Sequence, residues 1–360
     1  MKTTILVIGI LLISGISSFT LADETTQSRT IYVDDDNISG PWDGTMVYPF
    51  NLIQDGINAS SNSDMVFVYN GLYIENIKIG SSINLVGESK EDTVIDGNGN
   101  GDVIYVSVDG VSISGFTIQN GGLEGDWYDP DSGIDILSSF NEIYDNLIES
   151  VGIGISLRNS ENNVINNIIQ NNGHGVFVYH GGGTIIRNNR IFDIQGNMFG
   201  MNAMGIYIAK TNNCDIIGNN IENNKWGIHT WDSSNINILE NYIISNSRSL
   251  KIGEGSDIII SNNHIENSSI EVGHGVDHCY TTAFQNNILN SYVFLIGGSV
   301  YFDNGYISVK KSESTWDNNY WGGIHLFIKI ISPIQKHMFG FEFYLDADLN
   351  PAHRSFDIPN

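Results

Sequence analysis

Aromatic rings, carboxylates and a histidine recur on one side of a repeated Gly-Ile segment, and these are the side chains that could do chemistry. Counting by alternation along each segment predicts one outward row, consisting of Tyr105, Asp135, Ser156, Arg158, Phe177, Tyr179, Tyr207, His229, Trp231 and Lys251. Aromatic rings stack on the apolar faces of sugars and are rigid anchors at a low entropic cost. The row predicts a face that binds an extended polysaccharide, with rings covered by a loop as the competing interpretation. The predicted ligand-binding rings are Phe177, Tyr179, Tyr207, His229 and Trp231.

Two insertions of about eight residues flank this face. One is GGLEGDWYDPD, before Gly133, and the other is FDIQGNMFGMNA, before Met204. Both interrupt the repeat after the same strand, so they are expected to leave the same edge, about 14 Å apart. They are either tolerated surface loops or two walls of a binding site, and in the second case Trp127 and Tyr128 contact the ligand.

Carboxylates beside this face could act in acid–base chemistry on a glycan. A lyase needs a base and a cation, and an inverting hydrolase needs two carboxylates about 6.5–9.5 Å apart. The catalytic candidates are Asp135, Asp131 and Arg158. Arg158 lies one coil from Asp135 and is equally explained as its partner in a surface ion pair. No catalytic motif is complete, so the sequence leaves open whether the protein is an enzyme.

Calcium is the one metal for which the sequence offers ligands. Asp126, Asp129 and Asp131 lie together in the first insertion. A second stretch, residues 96–101, begins like a calcium loop, but Ser107 stands where a bidentate Glu is required. Copper needs converging His, Cys or Met side chains, and no compact cluster of them is found. The sequence predicts no cofactor, with calcium as the alternative.

A repeating unit of about 22 residues positions these side chains. Its signature, Ile-x-x-Asn-x-Ile, recurs at spacings of 21, 22, 30, 22, 22 and 24 residues. Apolar and polar residues alternate within each unit with the period of a strand, and a fixed period of this length indicates a solenoid. Because parallel crossovers are right-handed, the unit predicts an all-β, right-handed, single-stranded parallel β-helix of roughly eleven coils.

The recurring asparagine is predicted to be part of the scaffold. An inward amide at a corner cannot reach water, but it can donate to the asparagine of one neighbouring coil and accept from the other. The predicted inward column consists of Asn146, Asn167, Asn189, Asn219, Asn241, Asn263 and Asn287. On the same coil count, Cys214 and Cys279 lie about 14 Å apart, beyond the ~7 Å that a disulfide spans, so both are predicted to be free buried thiols.

The ends of the solenoid differ from its repeats. A helix that begins at Pro49 and buries Phe50, Ile53 and Ile57 is expected to cover the first coil, and a non-repetitive tail is expected to cap the last. The predicted segments are a signal peptide at 1–22, an N-terminal strand and capping helix at 23–64, the parallel β-helix at 65–323 and a C-terminal cap at 324–360.

The first 22 residues have the features of a secretory signal. Lys2 precedes an apolar run that ends in a small-residue cleavage site at Ala22. The run approaches the length of a membrane span, so an uncleaved anchor is the alternative. In both cases the folded chain is predicted to lie outside the cytoplasm, secreted or at the cell surface, as a monomer without membrane insertion after cleavage.

The composition excludes a nucleic-acid partner. The chain of 360 residues carries 41 acidic and 16 basic residues, which gives a formal net charge of -25 and an isoelectric point near 4.4. Such a surface repels a polyanion and lacks the basic patch by which nucleic acids are bound. A polysaccharide or cell-surface glycan is the predicted partner.

Several stretches resemble one family of surface proteins. They are TIYVDDDNISGPWDGT, NGLYIEN followed by INLVGESKEDTVIDGNG, NNGHGVFV, NNKWGIHT and WDNNYWGG. Together they resemble the secreted right-handed β-helix proteins with parallel β-helix or NosD-like repeats, known from archaeal and bacterial surface proteins. The resemblance implies a pectate-lyase-like solenoid, and the family name implies copper delivery in some members.

The resemblance specifies the function only weakly, because this fold hosts lyases, hydrolases, epimerases and pure polysaccharide binders. Two Gly-His-Gly triplets, at His174 and His274, resemble one polygalacturonase signature, but the Asn-Thr-Asp and Asp-Asp motifs that accompany it are missing from the chain. The preferred prediction is a non-catalytic protein that binds a polysaccharide on its aromatic face. The alternatives are a polysaccharide lyase, hydrolase or epimerase, and a structural surface protein without a ligand.

Overall fold

The computed structural model describes residues 28–124, 131–194, 196, 202–272, 279–289 and 291–296, and beyond them the strands at 299–303, 306–310, 315–317, 320–322, 325–329 and 342–345. The predicted signal peptide lies outside these residues. Within the described part of the chain, no helix has the length and apolar character needed to cross a membrane.

Three parallel sheets form the walls of the molecule, and each coil contributes one strand to each. Sheet 1 consists of β1 (Thr30–Val33), β2 (Met65–Val68), β5 (Asn84–Gly87), β8 (Ser112–Ser114), β11 (Glu142–Tyr144), β14 (Asn163–Ile165), β17 (Ile185–Arg187), β20 (Asn212–Ile217), β23 (Ser233–Leu239), β26 (Gly255–Ser261), β29 (Cys279–Phe284) and β34 (Thr315–Asp317). Sheet 2 consists of β3 (Gly71–Ile74), β6 (Thr93–Asp96), β9 (Thr117–Gln119), β12 (Leu147–Glu149), β15 (Ile168–Gln170), β18 (Arg190–Phe192), β21 (Asn220–Glu222), β24 (Tyr242–Ile244), β27 (His264–Glu266), β30 (Asn287–Leu289) and β35 (Tyr320–Gly322).

Sheet 3 carries most of the predicted site residues. It consists of β4 (Ile77–Ile79), β7 (Ile104–Val106), β10 (Ser132–Ile136), β13 (Ile153–Leu157), β16 (His174–Tyr179), β19 (Met204–Ala209), β22 (Trp226–Trp231), β25 (Arg248–Ile252), β28 (Ser269–Val272), β31 (Tyr292–Ile296), β36 (His325–Lys329) and β37 (Glu342–Leu345). Its last strand pairs antiparallel, and an antiparallel hairpin, β32 (Ser299–Asp303) with β33 (Tyr306–Lys310), stands outside the three sheets. The eleven strands of sheet 2 agree with the predicted number of coils, and the right-handed parallel β-helix is confirmed.

Alternation of apolar and polar residues forms the core. In one coil, Val164 of sheet 1, Ile169 of sheet 2, and Val176 and Val178 of sheet 3 all point inward and are fully buried. Each meets an apolar residue of the next coil in register, as when Val176 pairs with Ile206. From β1 to β30, inward side chains of the three sheets form one continuous apolar core, and burial of this kind is the main stabilising contribution of the fold.

A short helix covers the first coil, as predicted, but it begins later than predicted. Helix α1 spans Ile53–Ala59, and Leu52 precedes it without a side-chain cap. The Glu75 carboxylate takes that role from the first coil, because it accepts hydrogen bonds from the backbone N–H groups of Ile53 (2.8 Å) and Gln54 (3.0 Å). Ile53 and Ile57 are buried beneath the helix.

The asparagine column lies at the corner between sheets 1 and 2. After the first rung, each side-chain carbonyl accepts from both the backbone and the side-chain N–H groups of the preceding asparagine, at 2.9 to 3.1 Å. The carbonyl of the first rung, Asn146, accepts from the backbone N–H of Phe116. The members of the column are Asn146, Asn167, Asn189, Asn219, Asn241, Asn263 and Asn286. The predicted column is confirmed for six rungs and wrong for Asn287. The inward Ile288 of β30 follows its corner asparagine by two residues, as Ile148 does, so the seventh rung is Asn286.

A second set of stacked asparagines lies at the corner between sheets 2 and 3, and the sequence reasoning missed it. The side-chain carbonyls of Asn172, Asn224 and Asn246 accept from the backbone N–H groups of Val151, Ile194 and Asn224 respectively. The set is not continuous, because Val151, Ile194 and Ser268 stand at the equivalent position of neighbouring coils. The side-chain hydrogen bonds along this corner are therefore less regular than those at the corner between sheets 1 and 2.

Cys214 is a free, buried thiol, as predicted, and burial raises its pKa. It pairs in register with Ile236 of the next coil, so it occupies an apolar position of the core. The side chain of Cys279 lies outside the described residues.

The first coil is tied to the strand entering it by a buried carboxylate, which predicts an acid-sensitive N-terminal end. Asp64 is 3% exposed and accepts hydrogen bonds from the backbone N–H groups of Arg29 and Ser61 and from the Arg29 guanidinium. Burial alone raises the pKa of Asp64, but these donors outweigh burial, so its pKa lies below the usual value.

A carboxyl group with a lowered folded-state pKa stabilises the fold above its unfolded pKa of about 4, and this contribution is lost as the pH falls through the folded value. Asp64→Asn is therefore expected to lower the melting temperature at neutral pH and to flatten its decline in acid. Melting curves of both proteins between about pH 6 and pH 3 measure this. Parallel curves for the two proteins would contradict it.

Candidate functional site

The outward row of sheet 3 has the predicted register. Strand pairing aligns Tyr105, Asp135, Ser156, Phe177, Tyr207, His229 and Lys251 on successive coils. The prediction that its central rings face solvent is wrong, because Phe177, Tyr207 and His229 are only 2%, 4% and 5% exposed. Alternation correctly gives the side of the sheet on which a residue lies, but it does not report what packs on that side.

The buried rings belong to a second apolar cluster outside the solenoid wall. The cluster contains Ile153, Phe177, Met204, Tyr207 and Ala209, with Tyr179 and Trp226 packed against it. The ring centroids of Phe177 and Tyr207 lie 5.1 Å apart, and those of Tyr207 and His229 lie 5.0 Å apart. Burial raises the pKa of Tyr207 to about 12. These rings contribute packing, which was the competing interpretation.

Two rings of the predicted face keep contact with solvent. Trp231 is 50% exposed and Tyr179 is half-buried beneath Lys210, whose Nζ lies 5.7 Å from the Tyr179 ring centre. Trp127 and Tyr128 lie outside the described residues, as do the calcium candidates Asp126 and Asp129. In the described part of the chain, no group of three or more His, Cys, Asp or Glu side chains could hold a metal ion.

Asp135 and Arg158 are brought together, but not at the surface. The Arg158 guanidinium lies 3.5 Å from the Asp135 carboxylate, which is fully buried, while the Arg158 side chain is 16% exposed. The prediction of a surface ion pair is therefore corrected to a buried pair. Burying a charge has a large desolvation cost, and the attraction between two buried opposite charges offsets it. A structural role therefore explains this pair as well as a catalytic role does.

Asp131, the third catalytic candidate, lies at the base of the first insertion. Its carboxylate accepts a hydrogen bond from the backbone N–H of Glu124 at 2.9 Å, and its own N–H donates to the Glu124 carbonyl. Asp135 follows Asp131 by four positions along extended chain, a distance of about 13 Å. Asp131 opens into a cleft, whereas Asp135 is buried on the outer side of sheet 3.

That cleft follows the corner between sheets 2 and 3 and is called here the corner cleft. It encloses about 1550 Å³ and reaches the bases of both insertions, at Glu124, Asp131, Asp193 and Gly196. Residues of seven successive coils line it, from Ile74 to Asn223, a length of six rises or about 29 Å. Its polar lining comprises Asp96, Asn98, Asn100, Asn120, Glu124, Asp131, Ser150, Asn171, Asn172, Asp193 and Asn223. The insertions therefore leave one edge, as predicted, and an elongated cleft lies along it.

Left-handed backbone at this corner places polar side chains along the cleft. After each sheet 2 strand from β9 to β27, one residue adopts φ between 52° and 57°, as at Asn120, Ser150, Asn171, Asp193 and Asn223. Asn and Asp tolerate this conformation better than most residues. The sequence shows Asn, Asp or Ser directly after each sheet 2 strand from β9 to β27, and this recurrence is the signal that could have located the cleft.

The cleft is acidic. Asp96, Glu124, Asp131 and Asp193 contribute carboxylates, and none of the lining residues that the structure describes is Lys, Arg or His. Burial raises the pKa of Asp96, but hydrogen bonds from the Gln119 side chain, the Asn98 N–H and the Asn120 side chain bring it below the usual value. Asp96 is therefore ionised at neutral pH and orients the amides around it.

A soft-donor cluster, which the sequence reasoning missed, lies on sheet 3 beside the corner cleft. It consists of His174, Met204 and His229. The His229 Nδ1 lies 3.4 Å from the Met204 sulfur, and the Met204 backbone N–H donates to the His174 Nδ1 at 3.3 Å. His174 precedes Met204 by 30 positions in the sequence, and Met204 precedes His229 by 25. The second insertion lengthens the coil before Met204, so the sequence does not show that these residues lie on neighbouring coils.

The protonation of His174 follows from its surroundings. It is 1% exposed, and burial lowers its pKa to about 4, so the ring is neutral at physiological pH. Because its Nδ1 accepts a hydrogen bond, its Nε2 carries the proton. His174 therefore orients Met204, and no catalytic role follows for its Gly-His-Gly triplet. His274 lies outside the described residues.

The fold is shared with several solved structures at low sequence identity. XylC in complex with xylose is 11% identical, with a TM-score of 0.55 over 85% of this chain and 76% of the other. DFA-IIIase from Arthrobacter chlorophenolicus A6, in complex with DFA-III, is 12% identical, with a TM-score of 0.52 over 84% of this chain and 85% of the other. The Dettilon tailspike protein is 13% identical, with a TM-score of 0.53 over 75% and 66%.

No curated protein matches the chain. At the level of families the match is extensive, because residues 57–259 and 193–324 both match one family, described as periplasmic copper-binding protein (NosD). Together these two matches cover most of the chain, including the corner cleft and the soft-donor cluster. The chain therefore belongs to the NosD family.

Proposed function

We propose that the protein binds an extended polysaccharide in the corner cleft, outside the cytoplasm. The observation that carries the proposal is an open, elongated cleft, about 29 Å long, lined by amides and carboxylates and reaching the bases of both insertions. Sugar hydroxyls are donors and acceptors, and they match a lining of side-chain amides and carboxylates. Structural neighbours of the same fold include a sugar complex and a tailspike, and the family is described as periplasmic.

The charge of the cleft indicates the class of glycan. Four carboxylates, without a basic residue among the described lining, repel a polyuronate or a sulfated chain. Neutral glycans are therefore the proposed ligands. The proposal differs from the aromatic face expected from the sequence, because three of that face's five rings are buried.

Binding without turnover is proposed. Asp135 and Arg158 are buried as a pair. Of the two carboxylates that the sequence predicts to be catalytic, Asp131 opens into the cleft and Asp135 does not. A lyase or hydrolase of the same fold is the alternative, and it predicts product release from a glycan that the cleft binds. Assays for reducing ends and for unsaturated products distinguish the two.

Removing one amide from the cleft tests the proposed site. Asn171→Gly deletes an exposed side chain at φ 54°, where glycine is unstrained. Affinity for a neutral polysaccharide such as xylan or a fructan is expected to fall by about 0.5–1.5 kcal/mol, the net value of a hydrogen bond, with an unchanged melting temperature. Isothermal titration of both proteins measures this change.

Two further variants make the result specific. Asn235→Gly removes the same side chain in the same left-handed conformation (φ 55°) at a different corner, and it is expected to have no effect on affinity. Trp231→Ala tests the aromatic face, about 17 Å across sheet 3 from the cleft, and it should leave affinity unchanged. A loss of about 1–3 kcal/mol in Trp231→Ala, with none in Asn171→Gly, would place the glycan on the aromatic face.

Copper binding is the second candidate function, favoured by the contact between Met204 and His229. Thioether and imidazole groups are ligands that Cu(I) prefers, and the separation of 3.4 Å between the two donor atoms allows them to bind one ion. Met204 and His229 would hold the metal, while His174 orients Met204 through its backbone N–H. Copper bound there would supply a redox-active soft cation to this face. The proposal joins this geometry to the family's description as copper-binding.

A further inference from the structure

Large apolar side chains are concentrated on the surface of the first coil. Of the 13 large hydrophobic residues exposed in the described part of the chain, eight lie within residues 38–74. We call six of them the apolar foot: Ile38, Trp42, Met46, Val47, Tyr48 and Leu52. Ile38 and Val47 are 75% and 74% exposed. Contiguous exposed apolar surface on a secreted protein marks a binding surface.

The loop that carries the apolar foot is held firmly in place. The Tyr32 N–H donates to the Gly44 carbonyl and the Phe50 N–H donates to the Tyr32 carbonyl, both at 2.9 Å, which fastens the loop to β1. The Asn37 side chain donates to the Pro49 carbonyl at 2.7 Å, and the Trp42 indole donates to the Asn37 carbonyl at 2.6 Å. The exposed side chains are therefore presented by a fixed surface.

The position of the loop in the chain indicates what it contacts. The apolar run of the sequence ends at residue 22, and only residues 23–29 separate it from the first residue of β1. Such a segment spans at most about 28 Å. If the run remains in a membrane, β1 and the loop fastened to it are the part of the solenoid nearest the lipid. Trp, Tyr and aliphatic side chains are also the residues enriched at membrane interfaces.

The negative charge around the apolar foot limits what can bind to it. Asp34, Asp35, Asp36 and Asp43 lie around the foot, and the whole chain carries a net charge of -25. A second copy of the chain and an anionic lipid surface are both repelled by this charge. We propose that the apolar foot rests on the surface of a zwitterionic lipid bilayer, with the solenoid projecting away from it.

Depth-dependent quenching on the full chain tests the proposal. In a background with both cysteines replaced by alanine, Val47→Cys carries an environment-sensitive fluorophore on the foot. Ile259→Cys, 37% exposed in β26, carries it at the other end of the solenoid. Vesicles of phosphatidylcholine carry a nitroxide either near the headgroup or deep in the acyl chain.

The expected result is a blue shift and a loss of fluorescence at position 47 with the headgroup nitroxide, a smaller loss with the deep nitroxide, and neither change at position 259. Adding phosphatidylglycerol should reduce the loss at position 47. Absence of quenching at position 47, equal quenching at both positions, or a blue shift at position 47 that rises with protein concentration before lipid is added would each overturn the proposal. The last of these would show that a second copy covers the foot.

Discussion

Replacing Asn219 by Leu is expected to lower the free energy of unfolding by at least about 3 kcal/mol. Asn219 is fully buried. Its carbonyl accepts two hydrogen bonds from Asn189, and its amide donates to the carbonyl of Ile186 and to the side chain of Asn241. Leucine fills the same space but leaves the two Asn189 donors and the Ile186 carbonyl without partners, and each buried unsatisfied group costs about 1–3 kcal/mol.

Chemical denaturation of the variant and the parent protein measures this loss. The matched control is Asn237→Leu, because Asn237 lies on the outer side of β23 and makes one side-chain hydrogen bond, to Asp215. A surface change of this kind is expected to cost less than about 1 kcal/mol. Similar losses in the two variants would mean that the asparagine column does not stabilise the coil stack.

Replacing Met204 by Leu is expected to lower the Cu(I) affinity of the protein by at least about 100-fold, because the variant lacks one of two ligands and even changes to groups around a metal ligand cost 10–100-fold. The swap conserves volume in the buried cluster around Met204, so the fold should be unaffected. Competition with a chromophoric Cu(I) chelator under anaerobic conditions gives the affinity, and X-ray absorption at the copper edge reports whether sulfur is bound.

Two controls separate the copper site from general effects of the substitution. Met65→Leu makes the same change in β2, in a distant coil, and should leave the affinity unchanged. His229→Gln should lower it as Met204→Leu does, whereas His264→Gln, on sheet 2, should not. A parent protein that takes up no Cu(I), or a Met204→Leu variant that binds it equally well, would remove copper from the proposed functions.

The repeat predicted the architecture because one short pattern determines both local structure and pairing. Alternation of apolar and polar residues predicted the strands, and the period of about 22 residues predicted which strands pair. Inward asparagines were identified because a buried amide needs a partner in the neighbouring coil. The error at Asn287 arose where two asparagines are adjacent and the pattern allows two registers. The inward position of Ile288 resolves it.

The candidate site was less predictable, because it depends on what lies over the solenoid. Alternation placed Tyr207 and His229 on the outer side of sheet 3, and it could not show that they pack into a second apolar cluster. Met204 and His229 come together through the lateral pairing of β19 with β22, after an insertion whose length hides the register. Most residues that line the corner cleft follow the sheet 2 strands, and alternation within the strands therefore carries no information about them.

The contrast between the two asparagine corners determines where this molecule can accept foreign sequence. Between sheets 1 and 2 the chain turns in two residues, one left-handed and one asparagine, as at Asp145 and Asn146. An inserted residue there would break the hydrogen bonds of one asparagine in the column, and water could not replace them because these side chains are buried. Between sheets 2 and 3, two coils already carry extra segments after the rung. The solenoid thus has a rigid spine and one permissive edge. Loops inserted along that edge can change what the protein binds while the stacked coils keep their fold.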